Sequence, residues 1–255
     1  MAGRVWHGGI REGHRGDPGR EQDAHRGAEE DNSLKKKKLV ITIDGPGGAG
    51  KSTVARRLAE SVGYGYVDTG AMYRGIAYAY ARTAPQDLER FLSEIRLTFS
   101  FDGATKVFLD GEDISERIRT PEMSLLASSL SQDGRVRAYL TEMQREIGKK
   151  GGIVVEGRDM GSVVFPDAEV KFYLDADVRE RAKRRYIELA AKDARVDQKS
   201  VREEMEKRDR DDSERALAPL VCPEGAWRVD TTGKSIEEVV SVLKRRVLAA
   251  LEGKA

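Results

Sequence analysis

The segment Gly45-Pro46-Gly47-Gly48-Ala49-Gly50-Lys51-Ser52-Thr53 has the residue types that wrap a backbone around phosphate. Its first eight residues fit Gly-x4-Gly-Lys-Ser/Thr. The glycines let amide groups approach anionic oxygens closely, and a following helix N-terminus adds positive potential. In such a loop Lys51 reaches the β- and γ-phosphates, and the Ser52 hydroxyl holds Mg²⁺. The plainer alternative is a Gly-rich turn with no ligand. The full match, placed between an apolar run and a helical pattern, argues for the phosphate cradle. A partial copy at Gly233-Lys234-Ser235 fails, because Arg228 stands where the pattern needs glycine. Other candidates are cationic or acidic. Arg74 follows Asp68, and Arg158 precedes Asp159. Arg181, Arg184 and Arg185 are spaced i, i+3, i+4 and so share one helix face. The alternatives are a surface arginine, a structural ion pair and a solvated charged face.

Other chemistries are excluded. The three histidines, His7, His14 and His25, all precede residue 26, and Cys222 is the only cysteine. A body without histidine cannot run Ser-His or Cys-His catalysis or hold a His-ligated metal, and one cysteine makes no disulfide framework. Lys and Arg total 45 against 44 Asp and Glu, a net charge of +1 across 255 residues. That balance offers no whole-chain footprint for nucleic acid. No apolar run approaches the ~18 residues a membrane span needs, and no apolar signal region opens the chain. A cytoplasmic protein with small-molecule partners, no nucleic acid and no membrane is expected, as a monomer.

The elements that must position these residues follow from patterning. Residues 1–33 are rich in Gly, Arg, His, Asp and Glu without apolar period, and are expected to be a disordered extension. A start at Leu34, just before Lys35 to Lys38, is the favoured reading. Leu39–Ile43 reads as a buried parallel strand, followed by a helix from about Lys51 to Val62. Further strands are expected at 64–67, 152–156, 170–174 and 227–230. Helices are expected at about 71–82, 121–130, 135–147, 177–191, 198–213 and 235–251, with a polar break at 192–197. Residues 96–112 alternate about Gly103 and Gly111, as a small antiparallel insert does. The fold class is therefore α/β, a five-stranded parallel sheet flanked by helices. The P-loop alone leaves the reaction open. No Asn-Lys-x-Asp of a GTPase is present, and a small body with an arginine-rich helix pair suggests phosphoryl transfer to a small acceptor.

Several segments together carry a more specific resemblance. They are Ile43-Asp-Gly-Pro46, Asp68-Thr-Gly-Ala-Met-Tyr-Arg74, Gly111-Glu-Asp-Ile-Ser115, Ile118-Arg-Thr120, Glu156-Gly-Arg-Asp-Met-Gly161, Val164-Phe-Pro-Asp-Ala168 and the stretch from Arg208 to Leu220. Across about residues 39–250 the chain resembles the bacterial cytidylate kinases, which phosphorylate CMP and dCMP from ATP. The resemblance implies a nucleoside-monophosphate-kinase fold over 34–250, with a monophosphate-binding insert at 96–120, a helical lid at 181–200 and a C-terminal tail at 251–255. It implies Gly45 to Thr53 for ATP and Ser52 for Mg²⁺. It implies Lys51, Arg158, Arg181 and Arg185 for catalysis. Thr69, Tyr73, Arg74, Ser128, Arg137, Arg158, Asp159, Arg208, Asp212 and Arg215 are implied for the substrate. Within that set Arg158 would meet the acceptor phosphate, and Asp159 the cytosine amino group. Ser128 and Arg137 would meet the base, and Arg208 and Asp212 the ribose. Arg215 is assigned to the site without a particular atom. Asp44 is left between bracing the loop and acting near Mg²⁺. Many relatives carry serine where this chain has Gly47, which puts the phosphate contacts in question, and Ser162 replaces a common threonine. The implied reaction is in-line transfer with no general base. Other small-molecule kinases, for UMP, AMP or a metabolite, and a slow P-loop switch remain the alternatives.

Overall fold

A computed structural model describes residues 38–253 except 102 and 192–195. The expected extension at 1–33, the lysines at 35–37, most of the polar break and the last two residues of the tail lie outside the described residues. Strands β1 (Val40–Asp44), β2 (Gly65–Asp68), β6 (Ile153–Glu156), β7 (Val170–Asp175) and β8 (Trp227–Asp230) form one sheet in the order β2-β6-β1-β7-β8. Every pairing in it is parallel. Strands so short, and apolar on both sides, are stable only when both faces are covered. Helices α1 (Lys51–Val62) and α8 (Ile236–Leu251) cover one face. Their Val54, Leu58, Leu243 and Val247 pack with Ile41, Ile43, Phe172 and Leu174. Helices α2 (Thr69–Thr83), α3 (Leu88–Glu94), α4 (Pro121–Leu130) and α5 (Gly134–Gly148) follow in the chain, and α2, α3 and α5 build the core on the other face. There Met72, Ile76, Phe91, Val136 and Leu140 meet Val67, Ile153 and Val155.

The expected insert is a three-stranded antiparallel sheet of β3 (Leu97–Ser100), β4 (Lys106–Leu109) and β5 (Glu112–Asp113). Its Leu97, Val107, Leu109, Ile114 and Ile118 belong to the second core. The insert is thus packed onto the body. Thr105 ties it to β2, donating to the Tyr66 carbonyl at 3.0 Å and accepting from the Asp68 amide at 2.8 Å.

Two elements escaped the periodicity reading. Helix α3 has only seven residues; it forms because Asp87 caps the amides of Glu89 and Arg90, and Phe91 and Leu92 are buried. A π-turn at Met160–Val164 sits where no helical period exists. It is held by Asp44, whose carboxylate accepts from the amides of Met160 at 2.8 Å and Gly161 at 2.7 Å. Helices α6 (Val178–Ala190) and α7 (Gln198–Glu214) pack on each other through Ala182, Val201 and Met205. No helix among the described residues is long and apolar enough to cross a membrane.

Candidate active site

The carboxyl ends of β1, β2 and β6 lie side by side. Asp68 is paired in register with Glu156, and Ile43 with Glu156 on its other side. Three acids, Asp44, Asp68 and Glu156, therefore end three adjacent strands, in the place where open α/β sheets bind ligands. Each has a different partner. Asp44 is fully buried, and burial pushes its carboxyl up to about 6 against the pull of the two amides. Each of its oxygens accepts one amide of the π-turn, so it braces that turn. Asp68 caps α2 through the Ala71 amide and pairs with Arg74 at 3.1 Å. Glu156 accepts from the Tyr66 hydroxyl at 2.7 Å, and burial holds its carboxyl above the usual range.

The Gly-rich loop links β1 to α1. Gly45 (φ +145°) presses so close to β7 that a Cβ would stand 2.0 Å from the Leu174 carbonyl oxygen. Only glycine accepts both that conformation and that contact. Gly48 (φ +74°) lies under the α6–α7 pair, where a Cβ would meet Met205 Cε at 2.9 Å and the Arg181 carbonyl oxygen at 3.0 Å. Lys51 is buried and donates to the Pro46 carbonyl at 2.7 Å, folding its ammonium back over the loop. Burial, and then the Arg158 guanidinium, push it down to about 7. Ser52, one residue on, is exposed.

Around Lys51 the site is cationic. Arg158 and Arg208 both act on its charge, and Arg158, Arg74 and Arg185 act on that of Arg208. Arg208 is pushed down to about 10, by burial first and Arg158 second, and its buried Nε has no hydrogen-bond partner. The Arg74 Nε is likewise buried and unpartnered. Unpaired arginine donors packed together call for an anion with several oxygens.

Farther along the cleft a chain of buried charges begins at Asp159. One oxygen takes a hydrogen bond from Arg137, and the other lies 3.7 Å from Arg215. Arg215 in turn lies 3.9 Å from Asp212, which accepts from Arg158 Nε at 2.9 Å. Arg137 also rests on the Tyr73 ring, 6.0 Å from its centroid, and donates to the Ser131 carbonyl. Burial raises the Asp159 carboxyl against the pull of the two arginines, and pushes the Tyr73 phenol up to about 12. Ala218, in the left-handed region at φ +49°, offers its carbonyl to Arg215 Nε at 2.6 Å.

The fold thus brings together most of the residues expected at the site. Thr69 stands at the start of α2, but its hydroxyl donates to the Glu156 carbonyl at 2.7 Å. Ser128 sits one step out on α4, its carbonyl accepting from Ser131 at 2.7 Å. The three lid arginines divide. Arg181 is buried and donates to the carbonyls of Ala176 at 2.9 Å and Gly47 at 3.1 Å, and pairs with Asp209 at 2.5 Å. Arg184 grips Thr231, through the hydroxyl at 3.1 Å and the carbonyl at 2.8 Å. Arg185 pairs with Glu188 at 2.8 Å. Sequence reasoning missed Glu156 and Tyr66 as members of the site. A carboxylate closing an apolar strand, next to the strand that feeds the Gly-rich loop, was the available signal.

Comparison with known proteins gives one consistent picture. The family description "Cytidylate kinase" matches residues 41–248. A cytidylate kinase of Syntrophotalea carbinolica is 49% identical over 210 residues, covering 80% of this chain and 89% of that protein. One from Caldanaerobacter subterraneus is 50% identical over 205 residues, covering 79% and 91%. One from Geobacter sp. strain M21 is 45% identical over 215 residues, covering 82% and 92%.

Proposed function

The chain belongs to the cytidylate kinase family, and we propose that it performs that family's reaction with the residues just described. It phosphorylates CMP, with dCMP as a second acceptor, from ATP, giving CDP and ADP. The observation that carries the reading is the cationic cluster of Lys51, Arg74, Arg158 and Arg208 beside the Gly-rich loop, continued by the buried Asp159.

ATP lies in the Gly45–Thr53 loop with Lys51 turned from the Pro46 carbonyl onto its phosphates. CMP lies with its phosphate among Arg74, Arg158 and Arg208 and its base toward Asp159, Arg137 and Arg215. Arg208 neighbours three other arginines, which supports a phosphate contact for it beside the ribose. The acceptor oxygen of CMP is already anionic near neutral pH, so attack in line on the γ-phosphorus needs no general base. The protein's part is positioning and neutralisation of charge. Arg185, half-buried, paired with Glu188 and near Arg208, is the lid arginine best placed to turn inward. Arg181 instead pins α6 to the loop. Closure of α6 and α7 excludes water that would otherwise hydrolyse ATP.

The residues fit Mg²⁺. Ser52 carries an exposed hydroxyl beside Lys51, and the Glu156 carboxylate lies close enough to act on the Lys51 charge. Among the described residues no group of three or more His, Cys, Asp or Glu could hold a metal. When bound, it neutralises the β- and γ-phosphate oxygens.

The test is ADP release from ATP with CMP, dCMP, UMP and AMP in turn. Release driven by CMP and dCMP well above the other two is expected. Release independent of any monophosphate would favour a nucleotide switch.

A further inference from the structure

Thr231 follows β8 and opens the turn that leads into α8, its carbonyl accepting from the Lys234 amide at 3.2 Å. It is buried, at 2% exposure. Around it three parts of the fold meet. Its amide donates to the Asp175 carbonyl, at the end of β7, at 2.8 Å. Its hydroxyl donates to the Ala49 carbonyl, inside the Gly-rich loop, at 3.2 Å. Arg184 of α6 closes a fork on it, with Nη1 donating to that hydroxyl at 3.1 Å and Nη2 to the Thr231 carbonyl at 2.8 Å. The next hydroxyl, of Thr232, accepts from the Asp177 amide just before α6 at 2.9 Å. One hydroxyl thus stands between a guanidinium and a loop carbonyl. It has a single proton to give, and Arg184 can only donate, so the proton goes to Ala49. The charged donor polarises the hydroxyl and strengthens what it gives.

We propose that Thr231 is a positioning residue of the phosphate-binding loop, holding the Ala49 carbonyl so that the Gly50 amide faces the triphosphate. The proposal rests on the reading of that loop as the ATP site given above. The peptide joining Ala49 to Gly50 is planar and trans, so its carbonyl and its N–H point in opposite directions. Fixing the oxygen against Thr231 therefore aims the N–H to the other side. Gly50 lies in the left-handed region at φ +86° and starts α1 without a side chain to steady it. A glycine there has wide backbone freedom, so a hold on the plane from outside counts. The Gly47 carbonyl is held by Arg181, one helical turn from Arg184. Helix α6 thus reaches the loop twice, once directly and once through Thr231.

The test measures ADP affinity by calorimetry on the CMP-saturated protein, and CMP affinity separately. Thr231→Val keeps the branched volume and lacks only the hydroxyl; Thr231→Ser keeps the hydroxyl. Thr231→Val is expected to weaken ADP about tenfold, as loss of one hydrogen bond does, and to leave CMP unchanged. Inorganic triphosphate, titrated into the same CMP-saturated protein, is expected to weaken as ADP does, because the loss lies with the phosphates. Thr231→Ser is expected to bind both as the wild type does. Arg184→Met is expected to weaken ADP by a smaller factor and to add nothing to Thr231→Val, as for two residues acting through one contact. Wild-type ADP affinity in Thr231→Val overturns the role of Thr231 alone. Equal losses in the valine and serine variants, or equal losses for ADP and CMP, reduce it to a packing residue and overturn it too. A loss for ADP that spares inorganic triphosphate places the contact at the base and has the same result. If Thr231→Val does not fold, unchanged ADP affinity in Arg184→Met overturns the proposal. No binding of ADP or triphosphate by the wild type overturns the ATP reading of the loop and the proposal together.

Discussion

Lys51 is held far below the ordinary lysine range before any nucleotide arrives. Burial and Arg158 bring its pKa to about 7, so at pH 8 most of the protein has an uncharged amine there. Polyphosphate restores the charged form, because opposite charge close by favours it. Nucleotide binding at pH 8 should therefore take up close to one proton, and affinity should fall as pH rises above about 7. Calorimetry in two buffers of different ionisation heat reads this directly, and Lys51→Met should abolish it; zero uptake by the wild type would contradict the assignment. Asp159 supports a second prediction. In the proposed site its carboxylate is the acceptor toward the base, and cytosine presents an amino donor where uracil presents a carbonyl. Sites built on such a bond can discriminate by up to ~10⁴, less when open to solvent. Asp159 also neutralises Arg137 and Arg215, so removing it outright strands two buried cations. Asp159→Asn keeps the volume and removes the charge. It should lose most of the CMP-over-UMP preference in kcat/KM; unchanged selectivity would remove Asp159 from base recognition. At this scale the sequence was uneven. Lys51 and Arg158 stand in local motifs. Tyr66 and Glu156 are separated by ninety positions, and no local pattern records a hydrogen bond formed by strand order. Gly47, the departure from the serine of many relatives, proves uncrowded: a Cβ there would meet only Arg158 Nη2, at 3.8 Å.

Elements were legible wherever one periodicity ran unbroken. The bounds expected for α1 and the five strands of the parallel sheet hold to within a residue or two, because Gly50 and Gly63 in the left-handed region end α1 abruptly at both sides and β1 is β-branched up to its closing Asp44. Helix α3 and the π-turn were not legible, since each owes its form to a carboxylate, Asp87 beside it or Asp44 from another strand. The lid arginines show the same limit. Their spacing put them on one face, and the fold then gave Arg181 to the loop, Arg184 to Thr231 and Arg185 to Glu188 of its own helix. The α6–α7 pair is seated on the Gly-rich loop through Gly48, which makes that residue a joint between two elements. Gly48→Ala must place a methyl against Met205 Cε and the Arg181 carbonyl, in a backbone region that disfavours side chains. ATP affinity should drop by about tenfold or more, since displacement by even an ångström is felt in such loops. Met205→Ala in the same background should restore part of the loss, as the carbonyl contact remains. ATP titration of the two variants checks this, and wild-type affinity in Gly48→Ala would show that the helix pair does not bear on the loop.

The whole body should unfold as one unit, and the reason is the course of its two cores. The first lies between the sheet and α1 with α8, and Leu174 is fully buried in it. The second lies on the opposite face, and Val107 of the insert is fully buried there, against Gly75 of α2, where a Cβ would come within 2.9 Å of it. The insert supplies five buried apolar residues to that second core and, through Thr105, two hydrogen bonds to the end of β2. A lid-like insert free to melt alone would have its own cluster and few such ties. Both faces are joined by the same five strands, so loss of either core exposes the other. Leu174→Ala should cost about 2–5 kcal/mol, and Val107→Ala somewhat less for its smaller side chain. For a body of this size each ~1 kcal/mol lowers Tm by roughly 2–4 °C. Both variants should therefore shift Tm by several degrees, and each should still melt in a single calorimetric transition. The two losses should add, because the residues lie on opposite faces without a shared contact. A separate low-temperature transition in Val107→Ala would show the insert to be an independent unit. CMP binding would then be expected to fail before ATP binding on heating, whereas a single transition takes both sites down together.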